Sequence, residues 1–164
     1  MLPVVHQYFL MITSDPDLID DRPGFALELV ESRLEKAQWP LYGNTQNRKR
    51  ISAGDLLAFY VAGSGPRGGS VVATAAVNTL RQWRRRADSF DAFKYLTATP
   101  EVVLELNSVR KLSEPVLLRA VLEALTIRPS NLQKWGSALQ GGCRQITAAD
   151  WKLLTGIPLD VTVG

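Results

Sequence analysis

Residues 56–80, LLAFYVAGSGPRGGSVVATAAVNTL, decide the class of fold. The first part, Leu56–Val61, is short, apolar and aromatic, as is typical of a buried strand. The segment GSGPRGG at residues 63–69 predicts a flexible turn, because glycine and proline interrupt regular structure. Ser70–Leu80 is rich in Val and Thr and predicts a second strand. The stretch therefore predicts a β-hairpin.

Further strands and one helix are predicted on either side of this hairpin. Gln7–Thr13 and Glu101–Val109 have the apolar composition of buried strands. Trp39–Leu41 predicts a short or edge strand, because a proline has no N–H for the ladder. Apolar residues three and four positions apart predict a helix over Phe25–Ala37, with Arg33 among the charged residues of its outer side.

The last third of the sequence has a mainly helical pattern. Glu114–Pro115 is expected to open a helix that Pro129 ends, and Arg144–Ile146 predicts a last short strand. Thr147 and Asp150 resemble a capping box before a final helix. These elements predict one α+β domain over residues 1–164, a mixed pseudo-barrel of five or six short strands. Three or four helices would pack outside it, since the helices are too few for a repeated βαβ sheet.

Composition narrows the class of protein. The 164 residues are 46% hydrophobic and 21% charged, as expected of a globular domain. No apolar run approaches the roughly 20 residues that span a bilayer, so no membrane partner is expected. Met1–Leu10 lacks the pattern of a secretory signal. Because Cys143 is the only cysteine, no internal disulfide can form, and a reducing cytoplasm is expected.

The net charge of +3 is modest, but the basic residues are clustered. Arg48, Lys49 and Arg50 are consecutive, and Arg81 precedes three more arginines at residues 84–86. Such runs attract polyanions through phosphate contacts. Solvated loop charge is an equally good interpretation of the runs alone.

Common catalytic and metal sites are not indicated. His6 is the only histidine and has no partner for a catalytic triad. Cys143 has no neighbour at metal-ligand spacing. The glycine-rich turn lacks the lysine of a phosphate-binding loop. Asp15, Asp17 and the acids at residues 20 and 21 lack the calcium-loop pattern. We therefore expect no catalytic residue, no metal and no cofactor.

Several short blocks, taken in order over nearly the whole chain, resemble EVE domains of the PUA-like superfamily. These blocks are Thr13-Ser14-Asp15-Pro16, Trp39, Asn44-Thr45-Gln46-Asn47-Arg48, Gly54-Asp55, Val71-Val72-Ala73, Lys134-Trp135, Gly141-Gly142, Arg144-Gln145-Ile146-Thr147 and Asp150-Trp151. The resemblance implies a PUA-like pseudo-barrel related to YTH and ASCH domains. It also implies binding of a modified base, with Trp39 placed like a tryptophan of the YTH aromatic cage. Pro40-Leu41-Tyr42 departs from the usual glycine and valine, which leaves the ligand's identity open.

We expect a base flipped out of its stack to lie against an aromatic face, while polar groups recognise its edge. The predicted base-binding residues are Thr13, Ser14, Trp39, Tyr42, Asn44, Trp83, Phe90 and Trp135. The predicted phosphate-binding residues are Arg48, Lys49, Arg50, Arg84 and Arg85. The alternative for Trp39 is a position in the hydrophobic core. The alternative for Trp135 is a structural role in the block near the end of the chain.

Three functions remain open at this point. The first is a reader of a modified base such as methylcytosine in DNA, with a nuclease or other effector as a separate chain. The second is an RNA-binding PUA-like module that needs no modification. The third is an ASCH-type hydrolase or ribonuclease, for which no convergent acid–base pair is found by spacing.

Overall fold

The computed structural model describes residues 6–14, 25–43, 45, 47–63, 65–84, 100–126 and 142–156. Six strands and three α-helices lie in these parts of the chain. The strands are β1 Tyr8–Thr13, β2 Gln38–Leu41, β3 Leu56–Val61, β4 Ser70–Gln82, β5 Val102–Leu117 and β6 Cys143–Ile146. The helices are α1 Ala26–Glu35, α2 Leu118–Val121 and α3 Ala148–Thr155, with 3₁₀ turns at Arg48–Arg50 and Leu122–Ala124.

All six strands form one curled sheet in the order β2-β5-β4-β3-β1-β6. β1 and β3 are parallel, and each other neighbouring pair is antiparallel. The predicted hairpin is β3–β4, and the proline-containing strand β2 lies at the sheet edge, where a missing N–H is tolerated. The predicted α+β class and the predicted numbers of strands and helices are confirmed.

The expectation of short strands is wrong for β4 and β5, which contain 13 and 16 residues. Their pairing shifts register at three places, between Val71 and Ala73, between Thr74 and Ala76, and between Val77 and Thr79. Each irregularity bends the ladder and increases its twist. Two long strands can therefore follow the curl of the sheet without breaking into separate pieces.

The predicted helix at Glu114–Pro115 is also wrong, because β5 continues to Leu117. Pro115 lies within the largest register shift, where the partner of Val71 is Val116 and the partner of Ala73 is Lys111. At such a bulge the missing proline N–H costs no ladder bond. The helix α2 begins only at Leu118, and the rest of the predicted helical run, beyond Thr126, lies outside the described residues.

The sheet has two buried faces, and alternate residues of each strand point to opposite sides. Phe9 and Phe59 lie in a core with α1, which we call the α1 face. Leu10 and Tyr60 lie in a second core with Trp151 of α3, which we call the α3 face. Trp151 is 4% exposed in this second core.

Candidate functional site

A cavity of about 240 Å³ lies on the α1 face, beside the end of β1. Its walls come from β1, α1, β2 and the loop that follows β2. The described residues that line it are Met11, Ile12, Thr13, Ser14, Leu29, Arg33, Trp39, Pro40, Leu41, Tyr42, Thr45 and Gly142. It is somewhat smaller than the roughly 300–1,000 Å³ of pockets for drug-sized ligands. A small planar guest is therefore the best fit.

Three residues of the cavity lining each have a buried polar atom without a hydrogen-bond partner among the described residues. These atoms are the Oγ1 of Thr13, the Nε of Arg33 and the hydroxyl oxygen of Tyr42. A buried polar group without a partner costs about 1–3 kcal/mol, so most such groups in folded proteins are paired. All three residues line this one cavity, which makes it the candidate site.

Arg33 is the residue that the sequence analysis misplaced. It was expected on the outer side of α1, but it is only 7% exposed and lines the cavity. Its position is seven residues after Ala26 and four after Leu29, which is the spacing of the buried face. This spacing could have predicted the buried position, but the charge of the side chain favoured an exposed one.

The Arg33 guanidinium lies over the ring of Trp39, with 4.9 Å between its carbon and the ring centroid. Burial lowers the pKa of Arg33, and the nearby Tyr42 phenol opposes this effect through charge and hydrogen bonding, although the contact is not a well-aligned hydrogen bond. No acidic side chain of the described residues pairs with Arg33. The cavity lining therefore includes a cation that lies on an aromatic ring and has no counter-ion within the described part of the chain.

Trp39 lines the cavity but has little free surface there. Its side chain is 4% exposed, and its ring centroid lies 4.6 Å from that of Phe59 at an angle of 46°. With Arg33 on the indole as well, the open stacking face expected from the sequence is not available in this arrangement. A role of Trp39 in direct contact with a base stays a prediction.

The other predicted base-binding residues divide into three groups. Thr13, Ser14 and Tyr42 line the same cavity as Trp39. Trp83 is half-buried at the end of β4, and the lining does not include it. Asn44, Phe90 and Trp135 lie outside the described residues, as does the predicted phosphate ligand Arg85.

The basic residues after the cavity loop have different surroundings. Arg48 forms an ion pair with Glu101, with 3.3 Å between its Nε and the carboxylate. Arg50 donates a hydrogen bond to the side-chain oxygen of Gln145 on β6. Lys49 and Arg84 are exposed. Tyr42 and Thr45 line the cavity, and the same loop continues directly into Arg48–Arg50, so basic side chains lie close to it in the sequence.

The family model for the EVE domain matches residues 7–157 of the chain. This chain belongs to the EVE domain family. The match extends from β1 through α3 and includes every described residue of the cavity lining.

Solved structures share the fold of this EVE domain at low sequence identity. The N-terminal domain of Staphylothermus marinus McrB has a TM-score of 0.59 at 10% identity, over 92% of this chain and 94% of that one. The human THYN1 protein, solved in complex with 5-methylcytosine-containing DNA, has a TM-score of 0.56 at 14% identity, over 92% and 96%. A Leishmania major protein has a TM-score of 0.54 at 15% identity, over 90% of each chain. These likenesses confirm the PUA-like fold. No curated protein matches the sequence.

Two further properties of the EVE domain concern the part of the chain that the structure describes. Within it, no three His, Cys, Asp or Glu side chains are grouped so that they could hold a metal ion. None of its helices there has the length and hydrophobicity needed to span a membrane. His6 lies with its Nδ1 2.8 Å from the carbonyl oxygen of Gly54, at the turn before β3.

Proposed function

We propose that this EVE domain binds nucleic acid and holds one modified base, flipped out of its strand, in the cavity on the α1 face. The observation that carries the proposal is the set of three unpaired polar atoms, on Thr13, Arg33 and Tyr42, around one small hollow. A nucleobase is planar, is of suitable size and has polar atoms along its edge. It can therefore pair with these atoms while its ring contacts apolar walls.

The binding energy must offset the cost of unstacking a base, which is a few kcal/mol. Met11, Leu29 and Leu41 supply apolar surface in the cavity, and an added methyl group gains about 0.8 kcal/mol when buried. Each hydrogen bond to the charged Arg33 is worth about 1.5–3 kcal/mol. Discrimination follows because a wrong base leaves a buried polar group unpaired.

The basic residues near the cavity loop would bind the phosphates on either side of the flipped nucleotide. Lys49 is exposed, and within the described residues Arg48 pairs with Glu101, a carboxylate that is 53% exposed. A surface pair of this kind contributes about 0–1 kcal/mol, so a phosphate can replace the carboxylate at small cost. Contacts of this type fix position and carry no sequence information.

The relatives support a nucleic-acid partner. Human THYN1 was solved with DNA that contains 5-methylcytosine, and it has the same fold. For this chain we propose DNA as the partner, with a flipped modified base. The alternative is RNA binding that requires no modified base, and the experiment below distinguishes the two.

We further propose that the domain binds without catalysis and acts in the cytoplasm. The only histidine is placed against the Gly54 carbonyl, away from the cavity lining, and Cys143 is buried with its pKa raised to about 12 by burial. The Cys143 thiol is therefore not suited to act as a nucleophile at neutral pH, and His6 is not among the residues that line the cavity. An effector such as a nuclease would then be a separate chain.

The test is titration of the protein with short oligonucleotides that differ in one base only, in DNA and in RNA form. The panel contains the unmodified base, methylcytosine, hydroxymethylcytosine, carboxylcytosine and methylated adenine. We expect at least one modified DNA to bind about tenfold more tightly than its unmodified counterpart, which corresponds to about 1.4 kcal/mol. The variant Tyr42→Phe removes one cavity hydroxyl and should reduce that preference severalfold.

Tyr60→Phe is the matched control, because Tyr60 carries the same hydroxyl but is buried on the α3 face. It should leave the preference unchanged. Equal affinity across the whole panel would overturn the proposal. Tight binding of unmodified RNA with a steep salt dependence would favour the RNA-binding alternative.

A further inference from the structure

Arg33 gives the cavity a chemical preference. We propose that it selects a base that turns hydrogen-bond acceptors, above all an anionic substituent such as a carboxylate, towards the cavity floor. This inference rests on the proposed function and specifies which class of base the cavity prefers. It depends on three features of Arg33: its burial, its unpaired Nε and its contact with Trp39.

A guanidinium can only donate hydrogen bonds. A base edge with an exocyclic amino group facing Arg33 would place donors against donors and leave Nε unpaired. A carbonyl, a ring nitrogen without hydrogen or a carboxylate would accept from it. The two other unpaired atoms, on Thr13 and Tyr42, belong to hydroxyl groups that can also donate. All three groups can thus serve an acceptor-rich guest at once.

The charge of Arg33 strengthens the preference. A cation buried without a counter-ion is costly, and no carboxylate of the described residues pairs with this one. An anionic guest would supply the missing counter-charge inside the protein, where such pairs are little screened by salt. Hydrogen bonds between ionised groups are roughly twice as strong as neutral ones.

The position of the guanidinium is fixed by its surroundings. Trp39 lies beneath it at 4.9 Å, and Phe59 packs against Trp39 in turn. A planar group stacked on a ring loses less freedom when a ligand binds than a free side chain would. Trp39 on this view is a positioning residue for Arg33, and its small exposed surface is consistent with that role.

The experiment compares three DNA oligonucleotides, with methylcytosine, carboxylcytosine or methylated adenine at one position, against the intact protein and two variants. We expect the intact protein to prefer carboxylcytosine over methylated adenine by about 10- to 100-fold, from one or two hydrogen bonds to a charged group. Arg33→Gln should remove most of this preference. Arg119→Gln is the matched control, because it makes the same charge change at an exposed site on α2.

The possible outcomes separate this inference from the function on which it rests. Preference for carboxylcytosine that Arg33→Gln loses and Arg119→Gln keeps supports it. Preference for methylated adenine, or a carboxylcytosine preference unchanged in Arg33→Gln, overturns the role of Arg33 and leaves the reader function intact. Equal binding of all three and of unmodified DNA overturns both. Arg33→Lys guards against misfolding, since it keeps the charge and should keep part of the preference.

Discussion

The two faces of the sheet differ in how they surround a buried charged side chain. On the α3 face, Asp150 is 0% exposed, and its two carboxylate oxygens accept hydrogen bonds from the backbone N–H and the hydroxyl of Thr126. On the α1 face, Arg33 is 7% exposed, and its Nε has no partner among the described residues. The carboxylate of Asp150 is thus paired within the fold, whereas the Nε of Arg33 has no such partner in the described residues.

The helices on the two faces also differ in how their ends are capped. At the start of α3, the Thr147 hydroxyl accepts a bond from the Asp150 N–H, and the helix ends at Gly156 with a left-handed φ of 69°. At the start of α1, Phe25 makes no side-chain cap bond. Beyond its end, Ala37 takes a left-handed φ of 53° that glycine would adopt more easily.

This comparison shows where the molecule stabilises itself and where it does not. On the α3 face the helix is capped and the buried carboxylate is hydrogen-bonded, as is expected of a core that stabilises the fold. The α1 face departs from both patterns beside a cavity. Such departures are expected at functional sites, where stability is given up for binding.

The largest effect on stability is expected from removal of the Asp150 carboxylate. Asp150→Ala should lower the free energy of unfolding by about 2–4 kcal/mol, because two bonds to a buried charged acceptor are lost. Urea denaturation measures the change. Asp150→Asn keeps one acceptor oxygen and should lose about half as much. An unchanged urea midpoint in Asp150→Ala would mean that this charge is no more structural than Arg33.

The opposite sign is expected at Arg33. Arg33→Met replaces a buried, unpaired cation by an apolar side chain of similar length and should raise the free energy of unfolding by about 1 kcal/mol. The lost contact with Trp39 reduces the gain. The same variant should bind modified DNA less tightly. A large loss of stability would show instead that the guanidinium supports the α1 face, and the contrast with Asp150 would then fail.

The smallest effect is expected at the end of α1. Ala37→Gly relieves the left-handed backbone and should raise the free energy of unfolding by about 0.5 kcal/mol. Ala53→Gly is the control, since Ala53 lies in an exposed turn without a positive φ and should lose a similar amount. The two urea midpoints should therefore move in opposite directions. If both midpoints moved in the same direction, backbone strain at Ala37 would not be a difference between the two faces.

Most of the fold follows from local patterns in the sequence. The hairpin at residues 56–80, the edge strand around Pro40 and the cap at Thr147 each depend on neighbouring residues, and the structure confirms them. The extension of β5 through Pro115 could not be predicted, because a bulge depends on the partner strand. Pattern rules place such a proline at a helix start.

The candidate site was predictable only in part. The strand end at Thr13 and the tryptophan after α1 were predicted as site residues, and both line the cavity that the structure shows. Arg33 was missed because its charge led to its assignment to the outer side of α1, although its spacing from Ala26 and Leu29 is that of the buried face. Its stacking on Trp39 also depends on the return of β2 beside the helix, and no local pattern encodes that contact.

The parallel pairing of β1 with β3 has a consequence for how recognition can change between relatives. The chain must leave β1 and return to the same end of the sheet, and it does so through α1 and β2. All of the described lining residues except Gly142 therefore fall between residues 11 and 45. Under the proposed function, one continuous segment thus supplies nearly all of the ligand contacts, while the long β4–β5 ladder supports the fold without contributing to them.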